Sequence, residues 1–211
     1  GGYGALIHGM KYTKFWGAVG SHSGDAYFDF VYRTEWPQVL THLQKFSSKT
    51  KDFSRLKVNN IKNSLGEDDG RVARFLKYAQ NQTALSSPDI TALMILAMAA
   101  SYDPDTNAPN NFRLPFDLDT GELINDRWKQ WLRHDPIFLV EKYQKNLKKL
   151  KGVYIDCGSR DQYHIHFGSR KVSHELTKQN IQHLYQEFDG THSGIDYRLD
   201  VSLPFLSKAL Q

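Results

Sequence analysis

The run Val153-Tyr154-Ile155-Asp156-Cys157 decides the fold class of this chain. A short run dominated by β-branched, aromatic and small apolar side chains predicts a strand buried on both faces. Helical periodicity follows at 166–180, a second strand-like run at 183–188, and helical periodicity again at 195–210. This β-α-β-α order predicts an α/β fold with a mostly parallel sheet and flanking helices. In such folds the chemistry lies at the carboxyl ends of the strands.

The first 25 residues predict the same kind of layer. Small residues at 1–5 open a helix that extends to about residue 10, and an aromatic and small-residue run at 15–20 predicts a buried strand. Side chains without bulk let the helix approach the strand closely. We therefore assign residues 1–25 and 151–211 to one α/β core.

Between these two segments, residues 26–150 predict helices and few strands. Ser87 and Asp135, each directly before a proline, are N-cap signals. A stretch rich in proline and asparagine at 103–125 predicts a long loop that borders a pocket. We interpret residues 26–150 as a helical cap inserted between two strands of the core. Apolar periodicity marks its helices at 35–46, 71–79, 87–102, 125–133 and 136–150.

Composition narrows the classes of partner. The chain has 211 residues, 40% of them hydrophobic, and a formal charge of +4, so it can bury a core and is only mildly basic. Its basic residues concentrate at 45–62 and 142–151, where they have the spacing of solvated helix faces. The longest apolar run, 90–100, has about half the length that a helix needs to cross a bilayer. We expect neither nucleic acid nor a membrane as partner. The single cysteine, Cys157, has no second cysteine with which to form an internal disulfide, so the cysteine content does not indicate the cellular compartment.

Two loops that follow the last two predicted strands carry groups suited to acid and base chemistry. One ends at Asp161 and the other contains His192. A serine hydrolase needs an imidazole and a carboxylate on neighbouring strand-end loops, because the carboxylate fixes the tautomer and orientation of the base. Asp156, at the end of the strand, is the alternative acid.

Two other arrangements are weighed and set aside. Ser21 and Ser23 lie in a Gly-Ser-His-Ser-Gly run, but neither has glycines two positions away on both sides, as a nucleophile elbow requires. His164 and His166 follow Asp161 at a spacing that zinc ligands can have, but the sequence has no H-E-x-x-H helix and no cysteine cluster. We expect neither a metal nor a cofactor.

Three segments resemble a known family. Gly1-Gly2-Tyr3-Gly4-Ala5-Leu6 resembles the tail of the nucleophile elbow G-x-S-x-G in the putative-esterase family, which includes formylglutathione hydrolases, feruloyl esterases, enterochelin-type esterases and mycolyltransferases. The segments 157–161 and 190–192 resemble that family's acid and histidine loops. The resemblance spans the chain and implies an α/β-hydrolase fold with Asp161 as the triad acid and His192 as the base.

The resemblance also implies an activity. It makes Gly1 the last glycine of the elbow, with the nucleophilic serine two residues upstream. We then expect a serine esterase that hydrolyses a small-molecule carboxylic ester through an acyl-enzyme, and a fragment that is inactive without the serine. His22, Tyr163 and Trp36 are the expected substrate contacts. Two alternatives stay open, a non-catalytic binding protein of the same fold and an acyltransferase of the same family; the oligomeric state is open as well.

Overall fold

The computed structural model describes residues 1–48 and 66–211, and the chain divides into two compact units. Residues 1–33 and 133–211 form the first, called here the sheet unit, and residues 34–132 form the second, called the helical unit. Residues 49–62 of the first basic stretch lie outside the described residues. In chain order the helices and strands are α1 Gly2–Lys11, β1 Ala18–His22, α2 Phe28–Val31, α3 Trp36–Gln44, α4 Arg71–Gln80, α5 Ser87–Tyr102, α6 Asn125–Leu132, α7 Pro136–Lys142, α8 Gln144–Leu147, β2 Gly152–Gly158, α9 Ile165–Lys178, β3 Leu184–Phe188 and α10 Leu199–Leu210.

The sheet unit contains a three-stranded parallel sheet in the order β1-β2-β3. Ala18 of β1 is opposite Gly152, and Tyr154 of β2 is opposite Leu184. All seven residues of β2 are buried, because β2 is the central strand and helices pack on it. The predicted mixed α/β class with a parallel sheet is confirmed.

The core of the sheet unit joins α1, α7 and α9 to the sheet. Burial of each large apolar side chain there stabilises the fold by about 1.5–3 kcal/mol. Glycines let two of these helices approach closely: a Cβ on Gly9 would lie 2.6 Å from Val19 Cγ1, and one on Gly168 would lie 2.2 Å from the carbonyl oxygen of Ala26. The buried apolar residues of this core are Leu6, Ile7, Met10, Val19, Ala26, Ile137, Leu139, Val140, Leu147, Val153, Ile155, Val172, Leu176 and Ile181.

A buried carboxylate joins the two chain segments of the sheet unit. Asp135 caps α7 by accepting from the backbone N–H of Ile137 at 3.1 Å. It also accepts from the N–H groups of Tyr27, at 3.0 Å, and Phe28, at 2.7 Å. The predicted N-cap at Asp135 is confirmed, and the same side chain holds the chain that follows β1.

The helical unit has its own aromatic core. Trp128 packs edge-on against Trp36, and Trp131 packs edge-on against Tyr102. The ring of His42 bonds the carboxylate of Asp89 at 2.8 Å and so links α3 to α5. The predicted loop at 103–125 borders a cavity of about 470 Å³ inside this unit.

Three boundaries differ from the sequence prediction. Residues 26–33 and 133–150 belong to the sheet unit, whereas they were predicted as part of the cap, because Asp135 and the apolar face of α7 pack with the sheet. The predicted helix at 136–150 is interrupted at Tyr143, whose backbone leaves helical geometry at ψ 17°. The N-cap of α5 is Ser86 and not Ser87, because Asp89 completes a capping box with Ser86.

No helix in the described part of the chain is long and apolar enough to cross a membrane.

Replacing Gly168 with Ala is expected to destabilise the protein. An alanine inside a helix ordinarily gains about 0.5–1 kcal/mol over glycine, but here the added methyl group collides with the backbone of Ala26. Overpacking of this kind costs about 1–3 kcal/mol, which outweighs the helix propensity. Urea unfolding measures the change.

The matched control is Gly4→Ala in α1, where a Cβ meets nothing within 4 Å. It is expected to raise the free energy of unfolding. Equal changes in the two variants would show that the contact between α9 and Ala26 is not tight.

Candidate active site

The candidate site is built where β2 and β3 end. Because the two strands are parallel neighbours, the loops that follow them leave from the same edge of the sheet. Backbone hydrogen bonds then tie these loops together: Ser159 N donates to Phe188 O and Arg160 N donates to Gly190 O, both at 2.9 Å. The acid loop at 159–164 and the histidine loop at 189–195 are therefore fixed to one another.

Gly158 makes this contact possible. A Cβ at this position would lie 2.5 Å from the carbonyl oxygen of Gly190 and 2.7 Å from that of Thr191. These are backbone atoms that have no rotamer into which to move. The absence of a side chain at Gly158 thus brings the histidine loop against the end of β2.

Asp161 and His192 form a hydrogen-bonded pair across the two loops. Asp161 Oδ2 lies 2.9 Å from His192 Nδ1, and Asp161 Oδ1 accepts from the backbone N–H of Tyr163 at 2.9 Å. The Asp161 side chain is 0% exposed, whereas that of His192 is 36% exposed. A carboxylate on Nδ1 places the ring proton there and leaves Nε2 as a proton acceptor.

The environment pushes the two pKa values in opposite directions. Burial opposes ionisation of Asp161, but hydrogen bonds from His192 and from the backbone N–H groups of Tyr163 and Ile165 outweigh it and lower the pKa of this carboxyl. The hydrogen bond to Asp161 raises the pKa of His192, against the effect of burial, and the negative charge of Asp25 raises it further. The pair therefore favours an ionised acid beside a base whose protonated form is stabilised.

Two further side chains hold the histidine. The ring of Tyr163 meets that of His192 edge-on with 5.0 Å between centroids, and Tyr163 is 37% exposed. Gln162 Oε1 accepts from the backbone N–H of His192 at 3.1 Å. Sequence reasoning named Tyr163 and missed Gln162, whose amide has no pattern that distinguishes it from a surface residue.

Asp25, on the loop after β1, is another residue that sequence reasoning missed. Its carboxylate accepts from the hydroxyl of Tyr32 at 2.8 Å. Burial raises its pKa, and the charges of His192 and Asp161 act on it. Because β1 is parallel to β2, the end of β1 brings a third carboxylate to the same edge of the sheet.

His22 and Asp156 form a separate pair. His22 Nδ1 lies 2.7 Å from Asp156 Oδ1, and His22 Nε2 lies 3.0 Å from Ser202 Oγ. The arrangement has the connectivity of a Ser-His-Asp relay, but Ser202 is only 1% exposed. Both ring nitrogens of His22 are used within the protein, which favours a structural role over the predicted contact with substrate.

Trp36, the third predicted substrate contact, lies in the core of the helical unit and is 5% exposed. Its ring packs against Phe116 at 4.8 Å and against Trp128 at 5.2 Å between centroids. This placement favours helix packing.

Cys157 lies beneath the site and is buried. Its thiol contacts Asp161 Oδ2 at 3.7 Å and Ser23 Oγ at 3.6 Å. Burial raises the pKa of this thiol to about 12. The group is therefore a neutral thiol and a poor nucleophile.

Among residues 1–48 and 66–211, no three side chains of metal-ligating type come together as a metal site.

A sequence profile of the family described as Putative esterase matches residues 1–202 of the chain. The match covers more than half of the sequence, and the chain belongs to this family. Membership supports a hydrolase of the esterase type. A comparison with curated proteins gave no match.

Replacing Asp161 with Asn is expected to lower the pKa of His192, because the hydrogen bond to the carboxylate is the main cause of its elevation. Asp25→Asn is expected to lower it by less, since Asp25 acts through charge alone. The imidazole resonances of His192 in an NMR titration measure both.

The matched control is Asp189→Asn, which removes an exposed carboxylate of the histidine loop that pairs with Arg160. It is expected to leave the His192 titration unchanged. An unchanged titration in Asp161→Asn would contradict the pairing.

The single cysteine is expected to resist thiol reagents in the native state at pH 8, because burial keeps Cys157 protonated. A disulfide-exchange reagent that releases a coloured thiol measures the rate. The same protein in concentrated urea is the control and is expected to react at the rate of an ordinary thiol. Equally fast reaction in both states would show that Cys157 is accessible.

Proposed function

We propose that the protein is a serine esterase of the α/β-hydrolase fold that hydrolyses a carboxylic ester through an acyl-enzyme. The observation that carries the proposal is the hydrogen bond between Asp161 and His192 at the edge of the sheet. In a chain that belongs to an esterase family, this pair has the chemistry of the acid and base of a triad.

In this mechanism Nε2 of His192 takes the proton from a serine hydroxyl as its oxygen attacks the ester carbonyl. The tetrahedral intermediate collapses when the C–O bond to the alcohol breaks, and His192 returns the proton to the leaving alkoxide. A water molecule, deprotonated by the same nitrogen, then attacks the acyl carbonyl carbon; the bond from this carbon to the serine oxygen breaks, and His192 returns the proton to that oxygen as the acid leaves. Asp161 stabilises the imidazolium that forms in both halves and keeps its own charge.

We place the nucleophilic serine two residues before Gly1, within a G-x-S-x-G elbow. The position of α1 supports this placement, because its start is held against the end of β1: Ser21 Oγ donates to Gly2 O at 3.0 Å, and a Cβ on Gly2 would collide with His22 O. The N–H of the residue after the serine would then serve as an oxyanion-hole donor at the positive end of this helix.

Asp161 is preferred to Asp156 as the triad acid. Both carboxylates bond a histidine, but the Asp156–His22 pair leads to a buried serine and to Arg198. His192 retains a partly exposed ring and an Nε2 atom available to substrate. Tyr163, half-exposed beside that ring, is the best supported substrate contact, and we propose that the helical unit is an inserted cap.

The proposal is tested with His192→Ala in the full-length protein, assayed on short-chain nitrophenyl esters. Loss of the base is expected to lower kcat by about 10⁶-fold, because the base and the nucleophile of a triad act as a unit. Mass spectrometry after treatment with a sulfonyl fluoride is expected to place the adduct on the serine two residues before Gly1.

His174→Ala is the matched control, since His174 lies on α9 and its side chain is 76% exposed. It is expected to retain wild-type turnover. Near-wild-type turnover in His192→Ala would contradict the assignment of His192 as the base. A residue other than serine at the elbow would favour a non-catalytic binding protein of the same fold. Product transfer to an added alcohol in preference to water would favour the acyltransferase.

A further inference from the structure

Between its two ends the histidine loop is exposed to solvent, and the acid loop contacts it at His192 through Asp161, Gln162 and Tyr163. None of residues 191–197 is buried. At its start the loop is tied by the backbone contact between Gly158 and Gly190. At its far end stands Arg198, the last residue of a 3₁₀ turn at Asp196–Arg198 that leads into α10.

Arg198 is bound to two strands. Its Nε donates to Asp156 Oδ2 at 2.9 Å, and its Nη2 donates to Gln186 Oε1 at 2.6 Å and to the hydroxyl oxygen of Tyr154 at 2.9 Å. The guanidinium also lies over the ring of Phe188 at 4.7 Å. Its side chain is 11% exposed, so these bonds are shielded from water.

We propose that Arg198 is a positioning residue for His192, acting by anchoring the far end of the histidine loop to Asp156 of β2 and Gln186 of β3. This anchor and the Gly158–Gly190 contact hold the exposed segment at its two ends. With both in place, His192 Nδ1 stays within hydrogen-bond distance of Asp161. Arg198 touches neither side chain of that pair, so it acts through the loop.

A purely structural role is the rival explanation. Arg198 also joins the start of α10 to the sheet, and Ser202 repeats that link one turn later through His22. If Arg198 only stabilised α10, its loss would lower stability and leave the His192–Asp161 geometry alone. The test therefore reads the state of His192 directly.

Arg198→Met is examined in the full-length protein by NMR titration of the His192 imidazole. Release of the loop loosens the bond to Asp161, the main cause of the raised His192 pKa, so the titration is expected to shift to lower pH, toward that of Asp161→Asn. The charge of Asp25, which also acts on His192, is unchanged by the substitution. Arg198→Lys keeps a charge beside Asp156 but not the fork of donors, and an intermediate shift is expected.

The kinetic readout rests on the proposed function. In Arg198→Met, kcat for ester hydrolysis is expected to fall about tenfold to 100-fold, with a smaller change in KM, because misplacement of a catalytic group by about 1 Å has an effect of this size. The acid limb of the pH profile is expected to move to lower pH together with the His192 titration.

Arg170→Met is the matched control. Arg170 binds β3 at Glu187, which follows Gln186 and so faces the opposite side of the sheet. Its Nη2 lies 2.7 Å from Glu187 Oε2, and it has no hydrogen bond to the histidine loop. It is expected to keep the wild-type titration and turnover.

A folded Arg198→Met protein with wild-type His192 titration and kcat would overturn the proposal, whatever its stability. If Arg198→Met does not fold, Arg198→Lys decides by the same criterion. If the wild-type protein hydrolyses no ester, the proposed function fails, and the NMR titration still decides whether Arg198 positions His192.

Discussion

The carboxylate of Asp156 is the constraint on which the sheet unit depends. It is fully buried in the central strand and accepts from His22 of β1, from Tyr154 of its own strand and from Arg198 before α10. A buried charge is tolerated only when hydrogen bonds replace the water it has lost, and loss of one partner costs about 3–5 kcal/mol. The pairing of β1 with β2 and the packing of α10 on the sheet therefore depend on each other, because each supplies a donor that Asp156 needs.

Two carboxylates on one chain segment do different work because a strand alternates its side chains. Asp156 faces α10, where it is enclosed by donors, while the next residue, Cys157, faces Ser23 and Asp161. Asp161 lies beyond the end of the strand, so its direction is set by the turn and by the N–H of Tyr163. A strand position gives a carboxylate a fixed structural role, and a loop position gives it access to a neighbouring loop.

The sequence allowed the layers to be predicted, since strand and helix periods are local signals. The run 153–157, the helix at Ser87–Tyr102 and the cap at Asp135 all follow from neighbours within one turn or one strand. The pairing of loops that bear Asp161 and His192 was also within reach, because parallel neighbours end at one edge.

The rest could not be predicted because it depends on contacts distant in sequence. Arg198 and Ser202 reach Asp156 and His22 across the fold, and no periodicity marks a polar residue as a partner of another far along the chain. The sequence predicts a substrate contact at Trp36 because an aromatic residue in the sequence can belong equally to a core or to a pocket. The helix is interrupted at Tyr143 without a proline or glycine that would mark the interruption in the sequence.

The separation of β1 from β2 has a consequence for how the chain folds. His22 and Asp156, which face each other across these strands, are 134 positions apart, and the whole helical unit lies between them. Closing a loop costs entropy that grows by about 0.6 kcal/mol with each doubling of its flexible length. The helices between these strands form through hydrogen bonds four residues apart, which is faster than the pairing of strands so distant in sequence. Once these helices have formed, less flexible chain separates β1 from β2, and the parallel sheet is free to form last, when the ribosome has released both strands.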